Sequence, residues 1–242
     1  RKVETNPILS PTGSQLVVPV SSPSTHPQLI AYNVSNGLEM WRHQDTTADA
    51  TTTPVYSNDG STVYFGSLDN NLHAVHAVDN VGLGISAGDL KWSFDTGSTG
   101  PGDDVRSGPV VDSSGVIYFG SDANGVVSGG GSVFAIRDDT TTGTQIWRKD
   151  TYGNVRSTPA LSNDETTLYV GDEMAFYAID TTPGVTRGTD NWGDMTFPTG
   201  GASPIQTTVA VGPNDNIYFG ANNRTLYAYQ DNGASGTELG TF

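Results

Sequence analysis

The sequence predicts an all-β protein, a β-propeller of four-stranded antiparallel blades with five blades in this chain. The first observation is the composition, 21 Asp against 5 Glu in 242 residues, because Asp is a poor helix former and a good turn former. The second is that Asn/Asp/Gly clusters alternate with short β-branched and aromatic runs such as residues 116–119, a pattern typical of strands and hairpins. The third is an internal repeat. No segment has a sustained helical period, so we expect very little helix.

Each repeat carries four landmarks in the fixed order Pro, Gly, Ala, Trp. A Pro stands 11 or 12 residues before a Gly that follows an aromatic or apolar pair, and an Ala inside the next apolar run precedes the Trp. In the first unit Pro19 occupies the Gly position, and in the last unit we assign Thr208 to the Pro position and Gly240 to the Trp position. The four tryptophans are Trp41, Trp92, Trp147 and Trp192, separated by 51, 55 and 45 residues.

Five copies of the repeat fit a single domain over residues 1–242. The expected units are approximately 1–46, 47–98, 99–151, 152–199 and 200–242. In the third unit the four strand candidates are 108–112, 116–120, 132–137 and 145–149. Four strands per period predict a propeller, since blades around one axis cover each other's faces. Two arrangements stay open: five blades that close into a ring, or a part of a seven- or eight-bladed propeller.

The landmarks have packing roles in such a fold. A Trp in the outermost strand can wedge between neighbouring blades, and a small Ala suits close packing of one blade on the next. The Gly is expected to end the second strand where the chain must bend. We therefore interpret the four tryptophans as blade-packing residues and not as catalytic ones.

Composition and charge exclude several classes of function. The chain has no Cys, hence no thiol nucleophile and no Cys-ligated zinc or iron–sulfur cluster. Its formal net charge is −15, with 11 Lys and Arg against 26 Asp and Glu. This argues against nucleic acid as a partner, because a backbone binder needs a basic stripe. No apolar run approaches the ~20 residues of a membrane-spanning helix, so no transmembrane segment is predicted.

The repeat resembles the PQQ-like, or quinoprotein-type, propeller repeat. The best copy is Thr-Gly-Thr-Gln-Ile-Trp at residues 142–147 after Phe-Ala-Ile at 134–136, and the next is residues 35–41 after 30–32. The resemblance covers nearly the whole chain and implies the propeller fold. Members of this family include quinone-dependent alcohol and glucose dehydrogenases. They also include non-enzymatic propellers such as the BamB-type lipoprotein of the outer-membrane assembly machinery.

The sequence departs from the dehydrogenases of that family. They carry a vicinal Cys pair over the quinone, which a chain without Cys cannot have. Their Asp base and their Glu and Asn calcium ligands have no counterpart that we can place here. The resemblance therefore implies the fold without the activity. We predict no catalytic residue and no cofactor, and keep PQQ and calcium as alternatives.

A candidate binding face comes from the segments that lead into the first strand of each blade. Two of them repeat the pattern Val-Arg-Ser-x-Pro, at residues 105–109 and 155–159. The residues expected to ring one mouth of the central channel are Glu4, Thr51, Arg106 and Arg156. The loop 121–131, the longest between a second and a third strand, belongs to the same face, where insertions in repeat proteins tend to gather.

The two arginines admit two interpretations. They could clamp a carboxylate, phosphate or sulfate in a bidentate fashion. Alternatively, each pairs with a neighbouring carboxylate, such as Asp103, Asp104 or Glu4, and joins one blade to the next.

A calcium site is a weaker alternative. Asp122 and Asn124 put oxygen donors at alternate positions, as calcium loops do. The later Glu of an EF-hand is missing, and a hairpin turn favours the same residue types.

We interpret the chain as a non-enzymatic binding or scaffold propeller, located outside the cytoplasm in the periplasm, at the cell surface or in secreted form. Its expected partner is a protein, a glycan or another small molecule at the channel face. The alternative is an enzyme, either a fragment of a quinone-dependent dehydrogenase or a carbohydrate-active propeller. The location follows from the resemblance, the absence of Cys and the polar Thr/Asn/Asp/Gly composition.

Overall fold

The structure, a computed structural model, describes residues 5–20, 27–44, 49–97, 104–122, 130–184, 187–192, 195–196 and 204–242. These residues form five four-stranded antiparallel sheets, and each strand pairs with its neighbour in sequence. Helix is limited in them to two short 3₁₀ turns, Val81–Leu83 and Pro213–Asp215. The predicted all-β propeller architecture of five blades is confirmed.

Each blade contains four strands, and the first of them is always two residues long. The first blade contains β1 (Ile8–Leu9), β2 (Gln15–Pro19), β3 (Pro27–Asn33) and β4 (Glu39–Gln44). The second contains β5 (Val55–Tyr56), β6 (Thr62–Gly66), β7 (Asn71–His76) and β8 (Leu90–Asp95). The third contains β9 (Val110–Val111), β10 (Val116–Ser121), β11 (Ser132–Asp138) and β12 (Gly143–Asp150). The fourth contains β13 (Ala160–Leu161), β14 (Thr167–Gly171), β15 (Ala175–Asp180) and β16 (Met195–Thr196). The fifth contains β17 (Ala210–Val211), β18 (Asn216–Ala221), β19 (Thr225–Asp231) and β20 (Gly236–Thr241).

One row of paired residues across each blade explains the landmarks of the repeat. In the second blade this row is Val55, Tyr64, Ala74 and Trp92, one residue from each strand. The first and third blades have the same row, ending on Trp41 and Trp147. In all three the register between the third and fourth strands shifts directly after the Ala, so a bulge lies beside the Trp.

Two assignments in the last two units are corrected by the strand register. Trp192 lies ahead of β16, not in an outermost strand, although its neighbour Asn191 still donates to the Ala178 carbonyl at 2.7 Å. In the fifth blade β17 begins at Ala210 opposite Tyr218, so Val209 occupies the Pro position and not Thr208. Gly240 pairs with Ala228 and does occupy the Trp position, as predicted.

The hydrophobic core lies between blades. Each of four clusters joins the face of one blade that carries the Trp to the opposite face of the next blade. Between the second and third blades, Tyr64 and Trp92 pack with Ile117, Phe119 and Phe134. The Trp side chain thus covers its neighbour, which is how a thin sheet buries both faces.

The far face of the fifth blade differs from its equivalents. Tyr218 is 37% exposed, whereas its counterparts Tyr64, Tyr118 and Tyr169 are at most 3% exposed. Within the described part of the chain, no core cluster joins the fifth blade to the first. The described residues therefore give no hydrophobic contact that would support closure of the five blades into a ring.

The Gly at the end of the second strand is required by a close approach and not by a bend, which corrects the predicted reason. A Cβ at Gly66, Gly120 or Gly171 would lie 2.4, 2.1 or 2.5 Å from the side chain of Val105, Val155 or Ile205. Each of these apolar residues belongs to the segment that leads into the next blade. None of the three glycines has a positive φ.

The same lead-in segments hydrogen-bond to the preceding blade. The N–H groups of Val105, Val155 and Ile205 donate to the carbonyls of Ser67, Ser121 and Asp172, the residues that follow the three glycines, at 3.0, 3.1 and 3.0 Å. We call this contact, the glycine together with the bonded lead-in residue, the lead-in clasp. It fixes the separation of neighbouring blades near the first strands.

A second polar contact joins blades at their outer side. Asp138 of the third blade accepts hydrogen bonds from Trp92 Nε1 at 2.9 Å, Tyr64 Oη at 2.7 Å and Lys91 Nζ at 2.7 Å, all from the second blade. Asp231 of the fifth blade accepts in the same way from Trp192 and Tyr169 of the fourth.

The charge on Asp138 is stabilised in the folded protein. Burial acts to raise its pKa, but the hydrogen bonds from Lys91, Tyr64 and Trp92 outweigh it, and the pKa of the carboxyl is lowered. Because the folded pKa lies below the unfolded one, the contribution is present above the ordinary Asp pKa and disappears as the pH falls through the folded pKa.

We predict that Gly120→Ala lowers stability by about 1–3 kcal/mol, because the new methyl group overpacks against Val155. Gly220→Ala is the matched control, since a Cβ there meets only Thr207 Cγ2 at 3.2 Å and Oγ1 at 3.8 Å. Thermal and urea unfolding of both variants measures the difference. Equal losses in the two variants would contradict the lead-in clasp.

We predict that Asp138→Asn lowers stability at neutral pH by about 1.5–3 kcal/mol, the range for hydrogen bonds to a charged group. The difference in stability from the unmodified protein should narrow as the pH falls below about 4, the ordinary Asp pKa, because the unfolded chain then binds the proton before the folded protein does. Asp150→Asn is the control, because that side chain is 62% exposed in its pair with Arg148. A gap independent of pH would refute the role of the charge.

Candidate binding site at the channel mouth

The lead-in segments of neighbouring blades lie side by side, as a channel mouth requires. The Thr5 hydroxyl donates to the Thr52 carbonyl at 3.0 Å, and the Ser107 hydroxyl donates to the Ser157 carbonyl at 2.7 Å. The predicted site residue Thr51 donates to the Val105 carbonyl at 3.3 Å. Its hydroxyl therefore takes part in joining the second blade to the third.

The corrected strand register of the fifth blade adds one residue to those predicted around the channel mouth. Thr51, Arg106 and Arg156 each lie three residues before the Pro position, and with Val209 at that position the fifth-blade equivalent is Gln206. Gln206 is exposed. It was missed because Thr208 was assigned to the Pro position, one residue too early. Glu4 lies outside the described residues.

The two arginines belong to one charged cluster. Arg106 pairs with Asp104 at 2.7 Å and with Asp122 at 3.2 Å. Arg156 binds the Asp122 carboxylate through Nε and Nη2, both at 3.0 Å, and its Nη1 is 3.5 Å from Glu173. We call Asp104, Arg106, Asp122, Arg156 and Glu173 the arginine cluster. It spans the third and fourth blades.

The arrangement matches the second interpretation of the arginines, in which each pairs with a carboxylate of the protein. Asp104 was anticipated as a partner, whereas Asp122 and Glu173 were not. Their contacts join segments that are 34 and 17 residues apart in the chain, so no local pattern reveals them. With three carboxylates to two guanidinium groups, the cluster carries a net negative formal charge and disfavours capture of a free anion.

Burial and charge act in opposite directions at Asp122. Its side chain is 3% exposed, and this desolvation raises the pKa of the carboxyl, with Arg156 and Arg106 acting to lower it. The hydrogen bond to Asp122 in turn raises the pKa of Arg156. The cluster is therefore a mutually dependent unit whose central carboxylate needs both cations.

The described residues around Asp122 do not support the calcium alternative. Asn124 lies outside the described residues, and Asp122 faces two guanidinium groups, which repel a cation. Within the described segments no group of three or more His, Cys, Asp or Glu is arranged to hold a metal ion. The buried His73 stacks on Phe65 at 5.1 Å and lies 2.9 Å from Asp69.

An apolar surface on the outer side of the first two blades was not predicted from the sequence. Val81 and Leu83 are 89% and 73% exposed, and Met40 and Val78 are 47% and 46% exposed. Met40 and Val78 line one groove of about 280 Å³ beside Trp41. We call Met40, Val78, Val81 and Leu83 the apolar rim.

The apolar rim depends on a long connection between the third and fourth strands of the second blade. His43 Nδ1–H donates to the Gly88 carbonyl at 2.9 Å, and a Cβ at Gly88 would lie 2.5 Å from the Arg42 carbonyl oxygen. The connection is thereby held against the first blade. The signal was present in the sequence: 18 residues separate Ala74 from Trp92, against 10 between Ala31 and Trp41.

Taken together, the blades, the cross-strand row and the clasped lead-in segments define a β-propeller of the PQQ-like repeat class. The sequence profile of one family, described as outer membrane protein assembly factor BamB, matches residues 4–129 and 88–235. The chain belongs to this family, as the resemblance implied.

Comparison with solved structures agrees. The crystal structure of BamB from Moraxella catarrhalis matches with a TM-score of 0.67 at 16% identity, over 100% of this chain and 64% of that one. At this identity the likeness concerns the fold. The chain thus spans less than two thirds of the length of that protein. None of the curated proteins matches the sequence. In the described segments no helix combines the length and apolar character that a bilayer crossing demands.

We predict that Arg156→Ala destabilises the protein by about 1–2 kcal/mol at neutral pH, less than a fully buried pair because the side chain is 36% exposed. The loss should shrink as the pH falls, because burial raises the pKa of Asp122 and its carboxylate is protonated at a higher pH than an ordinary Asp. Arg106→Ala, with its single 3.2 Å contact to Asp122, is the comparison and should cost less. Urea unfolding at several pH values measures both. A larger loss for Arg106→Ala would be inconsistent with the geometry.

Proposed function

We propose that the chain is a non-enzymatic scaffold propeller that works outside the cytoplasm and binds a protein partner through the face around the channel mouth. The observation that carries this proposal is the match of nearly the whole chain to the family of the outer membrane protein assembly factor BamB. A factor that assembles outer membrane proteins acts on protein, and it acts outside the cytoplasm.

The arginine cluster suits a polar protein surface better than a free anion. Arg106 and Arg156 are 41% and 36% exposed at their side chains, so part of each guanidinium group faces solvent while the rest is held by carboxylates. A partner that presents both carbonyl and cationic groups satisfies the exposed donors and the excess negative charge together. Gln206 and Thr51 supply neutral polar groups at equivalent positions in the other blades.

The apolar rim favours a protein over a glycan as the partner. Four large apolar side chains on one side of the molecule, with a groove between two of them, are typical of protein contact surfaces. Glycan sites usually present exposed aromatic rings, and Trp41 beside this groove is only 6% exposed.

We propose further that the open faces of the first and fifth blades are covered by additional blades of the same repeat, the larger-propeller arrangement. Tyr218 at 37% exposure and Leu9 at 57% exposure support it, since buried residues occupy the Tyr position in the second to fourth blades. Coverage of 64% of the structural neighbour is in keeping with this. The mass of the native protein tests it: a mass well above 25.4 kDa is expected, and a mass of 25.4 kDa would refute it.

We predict that a photo-crosslinking amino acid at Gln206 captures an outer-membrane assembly protein in the producing cell, and that the same probe at exposed Asp150 does not. Crosslinked products are identified by mass spectrometry. A probe at Leu83 reports on the apolar rim as a separate face. Capture at Leu83 with none at Gln206 would move the partner to the rim and disprove the channel-mouth proposal.

The enzymatic alternative has its own test. We expect no quinone absorbance to be retained after addition of PQQ and calcium, and no dye-linked oxidation of alcohols or sugars. Tight binding with turnover would overturn the non-enzymatic proposal.

A further inference from the structure

The indole N–H groups of the four tryptophans differ in whether, and to which residue, they donate a hydrogen bond at the four interfaces between blades. Trp92 and Trp192 donate to Asp138 and Asp231 of the next blade at 2.9 and 2.8 Å. Trp41 donates at 3.4 Å to Gln15 Oε1, and the same oxygen also accepts a hydrogen bond from Tyr56. Trp147 is 8% exposed, and within the described part of the chain its buried Nε1 has no hydrogen-bond partner.

The difference arises from one residue of the fourth blade. Asp138 and Asp231 lie three positions after Ala135 and Ala228, and the same position after Ala178 holds Thr181. Thr181 is buried, and its hydroxyl donates to the Glu165 carbonyl at 2.6 Å. The interface between the third and fourth blades therefore has the donor of the repeated contact but not its carboxylate.

A cation lies at this interface. Burial raises the pKa of the Tyr118 hydroxyl, and a hydrogen bond with the Arg187 side chain acts to lower it, so Arg187 lies beside Tyr118. The Tyr118 and Trp147 rings are 5.8 Å apart. Gly188, the residue after Arg187, lies against Trp147, because a Cβ added to this glycine would be 3.1 Å from the indole. The buried Nε of Arg187, like the indole N–H, has no partner among the described residues.

The carboxylate that hydrogen-bonds Tyr118 is already engaged by other donors. Asp112 accepts from Tyr118 at 2.9 Å, from Ser114 at 2.7 Å and from the Val116 N–H at 2.8 Å. Two buried N–H donors, one of them charged, thus lack acceptors at this interface, and Thr181 stands at the position of the carboxylate. A buried donor without an acceptor is costly, and a small anion accepting from a guanidinium and an indole relieves that cost.

We propose that the interface between the third and fourth blades binds a small monocarboxylate through Trp147 Nε1 and Arg187, in the role that Asp138 and Asp231 fill at the equivalent interfaces. The carboxylate of formate or acetate is the same group as the Asp side chain. The site is separate from the arginine cluster, and its test does not depend on the proposed scaffold function.

The four indole N–H groups give the test a direct readout. In a ¹⁵N-labelled full chain they yield four cross-peaks, and Trp147→Phe assigns the one of interest. Sodium formate is titrated at constant ionic strength against sodium sulfate, whose dianion is larger than a carboxylate. The Trp147 cross-peak should move and saturate while those of Trp92 and Trp192 stay in place. No movement at Trp147, or a parallel unsaturated drift of all four, would overturn the proposal.

Variants separate the site from a general salt effect. Thr181→Asp supplies the carboxylate from the chain, so the Trp147 cross-peak should start displaced and its formate affinity fall at least tenfold. Thr181→Val is the control and should keep the response. Arg187→Gln should weaken formate binding at least tenfold without displacing the peak beforehand, and it decides the question if Thr181→Asp does not fold. Unchanged formate affinity in Arg187→Gln would refute the site.

Discussion

The close approach of three lead-in segments to the glycines of the preceding blades is the constraint on which the rest of the structure depends. With a Cβ position only 2.1 Å from Val155 at Gly120, no side chain fits there without movement. The adjoining backbone hydrogen bond then sets the distance between sheets on the inner side. This distance in turn decides which large side chains can fill the space between blades, and a row running from Tyr through Ala to Trp fills it.

The candidate binding residues inherit their positions from the same contact. Arg106 and Arg156 directly follow Val105 and Val155, the residues that the clasp holds. Their backbone is therefore placed by packing and hydrogen bonding that do not involve the arginine side chains. The identity of the residue at this position can vary from blade to blade, as Thr51 and Gln206 illustrate, without altering the scaffold.

Periodicity made the architecture predictable, because a feature repeated five times in one order survives imperfect copies. The positions of Trp41, Trp92 and Trp147, the four strands per unit and even Gly240 in the place of a Trp followed from spacing alone. Contacts between blades were beyond that reasoning. Asp138, Asp122 and Glu173 act across sequence separations that no periodic pattern records, and the single-residue slip at Thr208 concealed Gln206. The reason for the glycines was also wrong, because a steric approach from another blade leaves no local signature.

The direction of the clasp has a consequence for how the chain is made. In the second, third and fourth blades, the residue that packs on the glycine of the second strand comes from the segment synthesised after it, as Val155 does for Gly120. During synthesis on the ribosome, the glycine of such a blade therefore lacks its packing partner until the next lead-in segment emerges. In these three blades the contact with the next blade can form only after the following lead-in segment has been synthesised.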